Sequence, residues 1–255
     1  MISSLFFILS FSSVVQAHPL TLNFPSNMSA ASTFRTIILG APGSGKGTIA
    51  ERVCKTFGLQ HIVSGDILRK QQQENTELGK EVTNYISSGA LVPDELIISL
   101  MSKEMKTVGP KWLLDGFPRT FPQAEKLHKE VGMVDSVINL DIPFDVIRKR
   151  IESRYIHFAS GRTYNLEFNP PKVPFKDDVT GEPITRRPDD EPEVVMARLK
   201  TYRERTEPLL DYYRKAGVLK EFQGTESNVI WPFVKEYLEA QMNSAESNKR
   251  DKKRA

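Results

Sequence analysis

Gly40-Ala41-Pro42-Gly43-Ser44-Gly45-Lys46-Gly47-Thr48 follows directly on the apolar run Phe34–Leu39 (FRTIIL) and opens a stretch of helical spacing, Gly45–Phe57. A β-rich run before and a helix after are the setting a phosphate-binding loop requires. The glycines tolerate positive φ and close approach, so backbone N–H groups can turn inward around an anion. The helix N-terminus adds partial positive charge. Lys46 adds a full charge aimed at the β- and γ-phosphates of a nucleoside triphosphate. Gly43, Ser44, Gly45, Lys46, Gly47 and Thr48 are therefore assigned to triphosphate binding. The general motif has Ser or Thr directly after the Lys. Here Gly47 intervenes, and Thr48 is the hydroxyl expected near the Mg2+ that accompanies the triphosphate.

Outward from this loop, short β-rich runs alternate with helical stretches. The runs are Gln60–Val63, Trp112–Leu114, Val137–Leu140 and Val218–Phe222. The helical stretches include Asp94–Lys106, with Leu96, Ile97, Leu100 and Met101 on one face. Pro192–Ala216 reads as one long amphipathic helix carrying Val194, Val195, Leu199, Tyr202, Leu209 and Tyr213, with Gly217 as its C-cap. The alternation predicts an α/β fold: a five-stranded parallel sheet covered by helices on both faces. Ligands in such folds bind beyond the C-terminal ends of the strands. Residues 64–92 are helical and polar with no strand. Residues 153–190 are rich in Gly, Pro, Asp and Arg. Both read as insertions that move over the sheet, leaving a core of 34–63, 93–152 and 191–240. The tail 241–255 is polar and basic, and disorder is expected there.

The 255 residues allow one sizeable core or two small domains, and 39% hydrophobic with 26% charged residues is ordinary for a soluble globular chain. The formal charge of +3 is no larger than the tail supplies, since residues 249–255 hold five Lys or Arg against one Asp. A nucleic-acid surface is not indicated, nor is a membrane partner. The single cysteine, Cys54, excludes an internal disulfide and any cysteine-based zinc site. The first 33 residues read as an extension. Leu5–Val15 is apolar like the centre of a secretory signal, but no charged residue precedes Arg35, and the run is too short to span a bilayer. Asn27-Met28-Ser29 matches a glycosylation triplet. Met28 as an alternative start is the competing reading.

A phosphate loop serves kinases, ATPases and GTPase switches alike. The guanine box of a GTPase has its letters once, at Asn248-Lys249-Arg250-Asp251, in the charged tail with no strand before them. A kinase with a small phosphorylated acceptor must instead bring two polyanions together, with cations lining the gap and some arriving on closure. Arg69, Arg119, Arg150, Arg154, Arg187 and Arg198 stand at strand ends and insertion boundaries, as that role requires. An acceptor phosphate oxygen is already anionic, so no general base is needed. His18, His61, His128 and His157 are expected to be structural or solvent-facing.

The chain resembles the adenylate kinase family from about Arg35 to Leu238. The marks are GAPGSGKGT at 40–48, SGDILR at 64–69, LLDGFPRT at 113–120, ASGRTYNLEFNPPK at 159–172, DDVTGEPITRRPDD at 177–190 and GTESNVIWP at 224–232. The 38-residue segment 153–190 makes it a long-lid form, most similar to the mitochondrial-matrix branch that takes GTP as donor. The resemblance implies reversible phosphoryl transfer from GTP or ATP to AMP with Mg2+, in a monomer of the matrix. The cytoplasm, or secretion if the N-terminus is a signal, are the alternatives. An ATP:AMP kinase or another nucleoside monophosphate kinase of the same fold, and, in a different class, a catalytically silent nucleotide-binding protein that acts through a partner, are the competing readings of function.

Residue by residue, the resemblance implies that 64–92 is an AMP-binding arm. Ser64, Arg69, Ala90, Leu91, Val92, Gly116, Phe117, Pro118, Arg119 and Gln123 would hold AMP, and Asp115 would orient Mg2+ through water. Arg150, Arg154, Thr163, Tyr164, Gly224 and Thr225 would lie on the donor side. Arg187 and Arg198 would bridge the two nucleotides, and with Lys46, Arg119 and Arg154 they would form the catalytic set. The lid contains no cysteine, so no zinc is expected. His157, Ser160, Asp177 and Thr180 resemble the polar network that replaces zinc in other long lids.

Overall fold

The computed structural model of the chain describes residues 33–254. The readings of residues 1–32, including the extension and the start at Met28, lie outside the described residues. In chain order the elements are β1 (Phe34–Gly40), α1 (Lys46–Phe57), β2 (Gln60–Val63), α2 (Ser64–Gln73), α3 (Glu77–Ser87) and α4 (Asp94–Met105). They continue with β3 (Lys111–Asp115), α5 (Phe121–Val131), β4 (Ser136–Asp141), α6 (Phe144–Glu152), β5 (Arg154–Ile156) and β6 (Thr163–Asn165). The last are α7 (Pro192–Thr201), α8 (Leu209–Lys215), β7 (Leu219–Gln223) and α9 (Ser227–Arg254).

Five strands form one parallel sheet in the order β2-β3-β1-β4-β7. Side chains alternate between its faces. Ile38, Leu113, Ile138 and Leu140 pack on one side with Ile49 and Val53 of α1, Ile147 of α6, and Val234 and Leu238 of α9. Ile37, Leu114 and Val137 pack on the other with Val82 of α3, Ile97 and Met101 of α4, Leu127 of α5, and Leu209 and Tyr213 of α8. Because both faces are covered, the central strands are apolar throughout rather than alternating. β1 is the middle strand, with β3 on one side and β4 on the other. The connections therefore diverge at its C-terminal end, where a ligand crevice forms, and the Gly40–Thr48 loop sits there.

Residues 64–92 fold as α2 and α3. Residues 153–190 hold the two-stranded antiparallel sheet of β5 and β6 and end in a 3-10 turn, Pro188–Asp190. One expectation needs correction. The helix expected over 192–216 is broken: α7 ends at Thr201, residues Tyr202–Thr206 form a π turn, and α8 begins at Leu209. The cause is Pro208, which has no N–H to donate and whose ring collides with the carbonyl four residues back. α9 runs on to Arg254, and Met242 extends the Val234–Leu238 stripe by one turn against the core.

Candidate active site

The loop after β1 wraps as its glycines allow, with Gly43 and Gly45 at φ of 81 and 90. Lys46, the first residue of α1, folds back so that its ammonium donates to the carbonyls of Gly40 at 2.7 Å and Ala41 at 2.9 Å. Burial pushes its pKa down to about 7. Asp115 opposes that shift, and the charges of Arg119, Arg198 and Arg154 add to it. Arg150, buried at the end of α6, ties the loop down. It donates to Ser44 O at 2.9 Å and to Thr225 O at 2.8 Å, and its guanidinium lies over the Phe168 ring. Arg150 thus joins the phosphate loop to the β7–α9 turn containing Gly224 and Thr225.

Asp115 ends β3 beside β1. Burial raises its pKa, but the neighbouring His61, Lys46 and Arg119 outweigh that, and the net shift is downward. A buried, ionised carboxylate near Lys46 results, with Thr48 one turn into α1 on the adjacent strand's helix. His61 of β2 stands 3.7 Å from Asp115 Oδ2. Sequence reasoning left His61 as a bystander, because no local signal tells which strand ends will be neighbours.

The DGFPR loop continues from Asp115. Gly116 has φ of 80, and a Cβ there would stand 2.7 Å from Ser64 Oγ and 2.9 Å from Arg119. Only glycine permits this crossing of Ser64, Gly116 and Arg119. The Ser64 hydroxyl donates to Gly116 O at 2.8 Å, and Arg119 Nε donates to the same carbonyl at 2.7 Å. The Gln123 carbonyl oxygen accepts from Arg119 N at 2.7 Å, and its amide nitrogen donates to Asp94 Oδ1 at 2.6 Å. Burial pushes the Arg119 pKa down to about 10, with Arg198 contributing.

A cleft opens between this loop and α2–α3. Ser64, Arg69, Ala90, Leu91, Val92, Gly116, Arg119, Gln123 and Arg198 line it, together with Leu68, Ile86, Ile97 and Asp189. Most of the residues expected to hold AMP are thus brought together. Phe117 is instead part of the core beneath. The apolar lining from Leu68, Ile86 and Ile97 was not read from the sequence as part of the site.

The remaining arginines converge from 153–190 and α7. Arg154 grips Asp190 through two nitrogens. Arg198 donates to Asp189 O at 2.9 Å and lies 2.7 Å from Asp189 Oδ2 and 3.3 Å from Asp190 Oδ1. Burial pushes the Arg187 pKa down to about 9, with the like charges of Arg154 and Arg69 contributing, and Nε of Arg187 has no partner in the structure. These cations are held at one place by Asp189 and Asp190, which the sequence presented only as neighbours of Arg187.

Thr163 accepts from Arg187 at 3.1 Å. Tyr164, expected on the donor side, has its ring buried in 153–190, where its hydroxyl donates to Asp177 Oδ1 at 2.8 Å. Asp177 also accepts from Arg162 at 2.7 and 2.6 Å, and from the Thr180 hydroxyl at 3.0 Å. His157 contacts Ser160 Oγ at 2.7 Å and Glu182 at 2.6 Å. The expected four residues meet, with Arg162, Tyr164 and Glu182 added.

A family model described as Adenylate kinase matches residues 38–218. The chain belongs to the adenylate kinase family, and its fold and catalytic class are those of a kinase. A Drosophila melanogaster protein named "GTP:AMP phosphotransferase, mitochondrial" is 48% identical over 212 residues, covering 83% of this chain and 98% of the relative. A Saccharomyces cerevisiae protein of the same name is 47% identical over 208 residues, covering 78% and 89%. No helix among the described residues is long and apolar enough to cross a membrane.

Proposed function

We propose that the chain transfers the terminal phosphoryl group of GTP to AMP, reversibly, in the mitochondrial matrix. The observation that carries this is the meeting of Lys46, Arg119, Arg154, Arg187 and Arg198 between the phosphate loop and the cleft against α2–α3. AMP lies in the cleft with its phosphate toward Arg119 and Arg198. An oxygen of that phosphate attacks the γ-phosphorus, the bond to the β-phosphate oxygen breaks, and GDP and ADP result. No proton need move, because the nucleophile is anionic.

The charge spreading over the equatorial oxygens in such a transfer is met by fixed cations rather than by water. Segment 64–92 acts as the acceptor arm, and 153–190 acts as a lid that brings Arg154 and Arg187 over the donor. Asp115, buried and ionised beside Lys46, would orient Mg2+ through water, and Thr48 would stand near the ion. When bound with the triphosphate, that ion would neutralise charge on the β- and γ-oxygens.

The choice of GTP rests on the names of the relatives and on the match at GTESNVIWP. A coupled assay with AMP as acceptor and GTP, ITP or ATP as donor tests it. GTP should give the highest kcat/KM. Equal or better turnover with ATP would replace the donor and leave the kinase reading intact. No turnover with any donor would leave a silent nucleotide-binding protein.

A further inference from the structure

We infer that Thr206 is a positioning residue for Arg119, acting from the π turn between α7 and α8. The inference rests on the assignment of Arg119 to the AMP cleft above. Along this part of the chain Val195, Leu199, Leu209 and Tyr213 are core-facing, and Tyr202 continues their spacing in steps of four and three. The next step falls on residue 206. That position holds a threonine, 6% exposed, where the pattern calls for an apolar side chain. A buried hydroxyl needs a partner, or its burial opposes folding.

A helical threonine usually returns its hydroxyl to the carbonyl four residues back. Thr201 does so, donating to Ala197 O at 2.9 Å. Thr206 does not. The carbonyl four back, that of Tyr202, accepts from Glu207 N at 2.9 Å, which is the widened spacing of the π turn upstream of Pro208. The Thr206 hydroxyl donates instead to Arg119 O at 2.9 Å, 87 positions away.

Arg119 is therefore held at three points. Its backbone N–H goes to Gln123 and its side-chain Nε to Gly116, partners within four residues along the chain. Thr206 holds its carbonyl from a separate element. That element continues from α7, which carries Arg198. The hydroxyl thus sets Arg119 and Arg198, the two cations facing the acceptor phosphate, in register through eight residues of chain. Misplacing such groups by about 1 Å is enough to cost turnover about 100-fold.

Thr206→Val keeps the shape and removes the hydroxyl, and Thr206→Ser keeps the hydroxyl. AMP and GTP dissociation constants, kcat and melting temperature would be measured for each. Thr206→Val should weaken AMP binding and lower kcat by about 10-fold or more while GTP binding shifts by less than about 2-fold. Thr206→Ser should stay near the parent. In an Arg119→Ala background Thr206→Val should add almost nothing, since the two act as one unit. If the valine variant fails to fold, Thr206→Ala is read against the same criteria.

A lowered melting temperature with unchanged AMP binding and kcat would overturn the inference. So would equal losses for both nucleotides, an equal loss in Thr206→Ser, or full additivity with Arg119→Ala. Normal AMP binding by Arg119→Ala alone would instead overturn the reading of the cleft.

Discussion

Asp66 of α2 and Gly161 of the β5–β6 turn stand close together: a Cβ on Gly161 would come within 3.1 Å of Asp66 Oδ2, tighter than ordinary contact. The two residues are 95 positions apart and belong to the segments proposed as acceptor arm and lid. Asp66 is also paired with Arg69, which lines the cleft. Residues 64–92 and 153–190 therefore approach each other beside Arg69, and a side chain at position 161 would require the Asp66 carboxylate to shift.

Gly161→Ala should accordingly impair closure. Gly161 has φ of 73, so alanine there carries about 1–2 kcal/mol of backbone strain in addition to the clash. The expected result is a lower kcat with little change in the melting temperature of the core, read by steady-state kinetics and thermal unfolding. An unchanged kcat would mean that closure during turnover does not use this contact.

Lys46→Met should reduce turnover by about 100-fold or more, the scale of losing one charge-stabilising donor. Its pKa also predicts a pH effect. The free protein holds Lys46 at about 7, below the ordinary lysine value, so between those two points it binds fewer protons than the unfolded chain. Stability should rise with pH across that window. Triphosphate binding should restore the charge, so GTP binding near pH 8 should take up a proton. Calorimetry in buffers of different ionisation enthalpy would detect this, and Lys46→Met should abolish it.

Arg187 is held near like charges with Nε unpartnered. Arg187→Ala should relieve that repulsion and raise the thermal stability of the nucleotide-free protein while lowering kcat more than GTP binding measured without AMP. Weaker GTP binding with unchanged kcat would make Arg187 a residue of uniform binding instead.

Asp177 is the centre of the polar network in 153–190, the segment proposed as a lid. Hydrogen bonds from Arg162 hold its carboxyl well below the usual carboxylate range, burial opposes them, and Thr180 and Tyr164 reinforce them. Its contribution is present above the ordinary carboxylate pKa of about 4 and is lost as pH falls below it. Asp177→Asn should raise hydrogen exchange in 153–190 before the sheet is affected, and acidification should do the same in the parent. Equal exchange in the variant and parent lids would remove Asp177 from this role.

The sequence by itself determined the strand–loop–helix at Phe34–Phe57 and the five strands of the parallel sheet, because each is written in contiguous residues with local physical meaning, while the DGFPR loop was legible only through the family resemblance. A glycine that must take positive φ, a lysine opening a helix and an apolar run between turns need no knowledge of distant parts. Arg119, Arg154, Arg187 and Arg198 were legible as cations at strand ends and insertion boundaries for the same reason. The tertiary structure alone decided their partners. Asp190 receives Arg154 from 36 positions away, His61 of β2 reaches Asp115 on the paired strand β3, and Arg162 and Tyr164 turn inward to Asp177. It also decided that residue 206, a gap in an apolar stripe, is filled by a hydroxyl serving Arg119. Such pairings depend on which chain ends the sheet order brings together and on where buried polar groups find their acceptors. Both follow from packing over the whole molecule, which no single stretch of sequence contains.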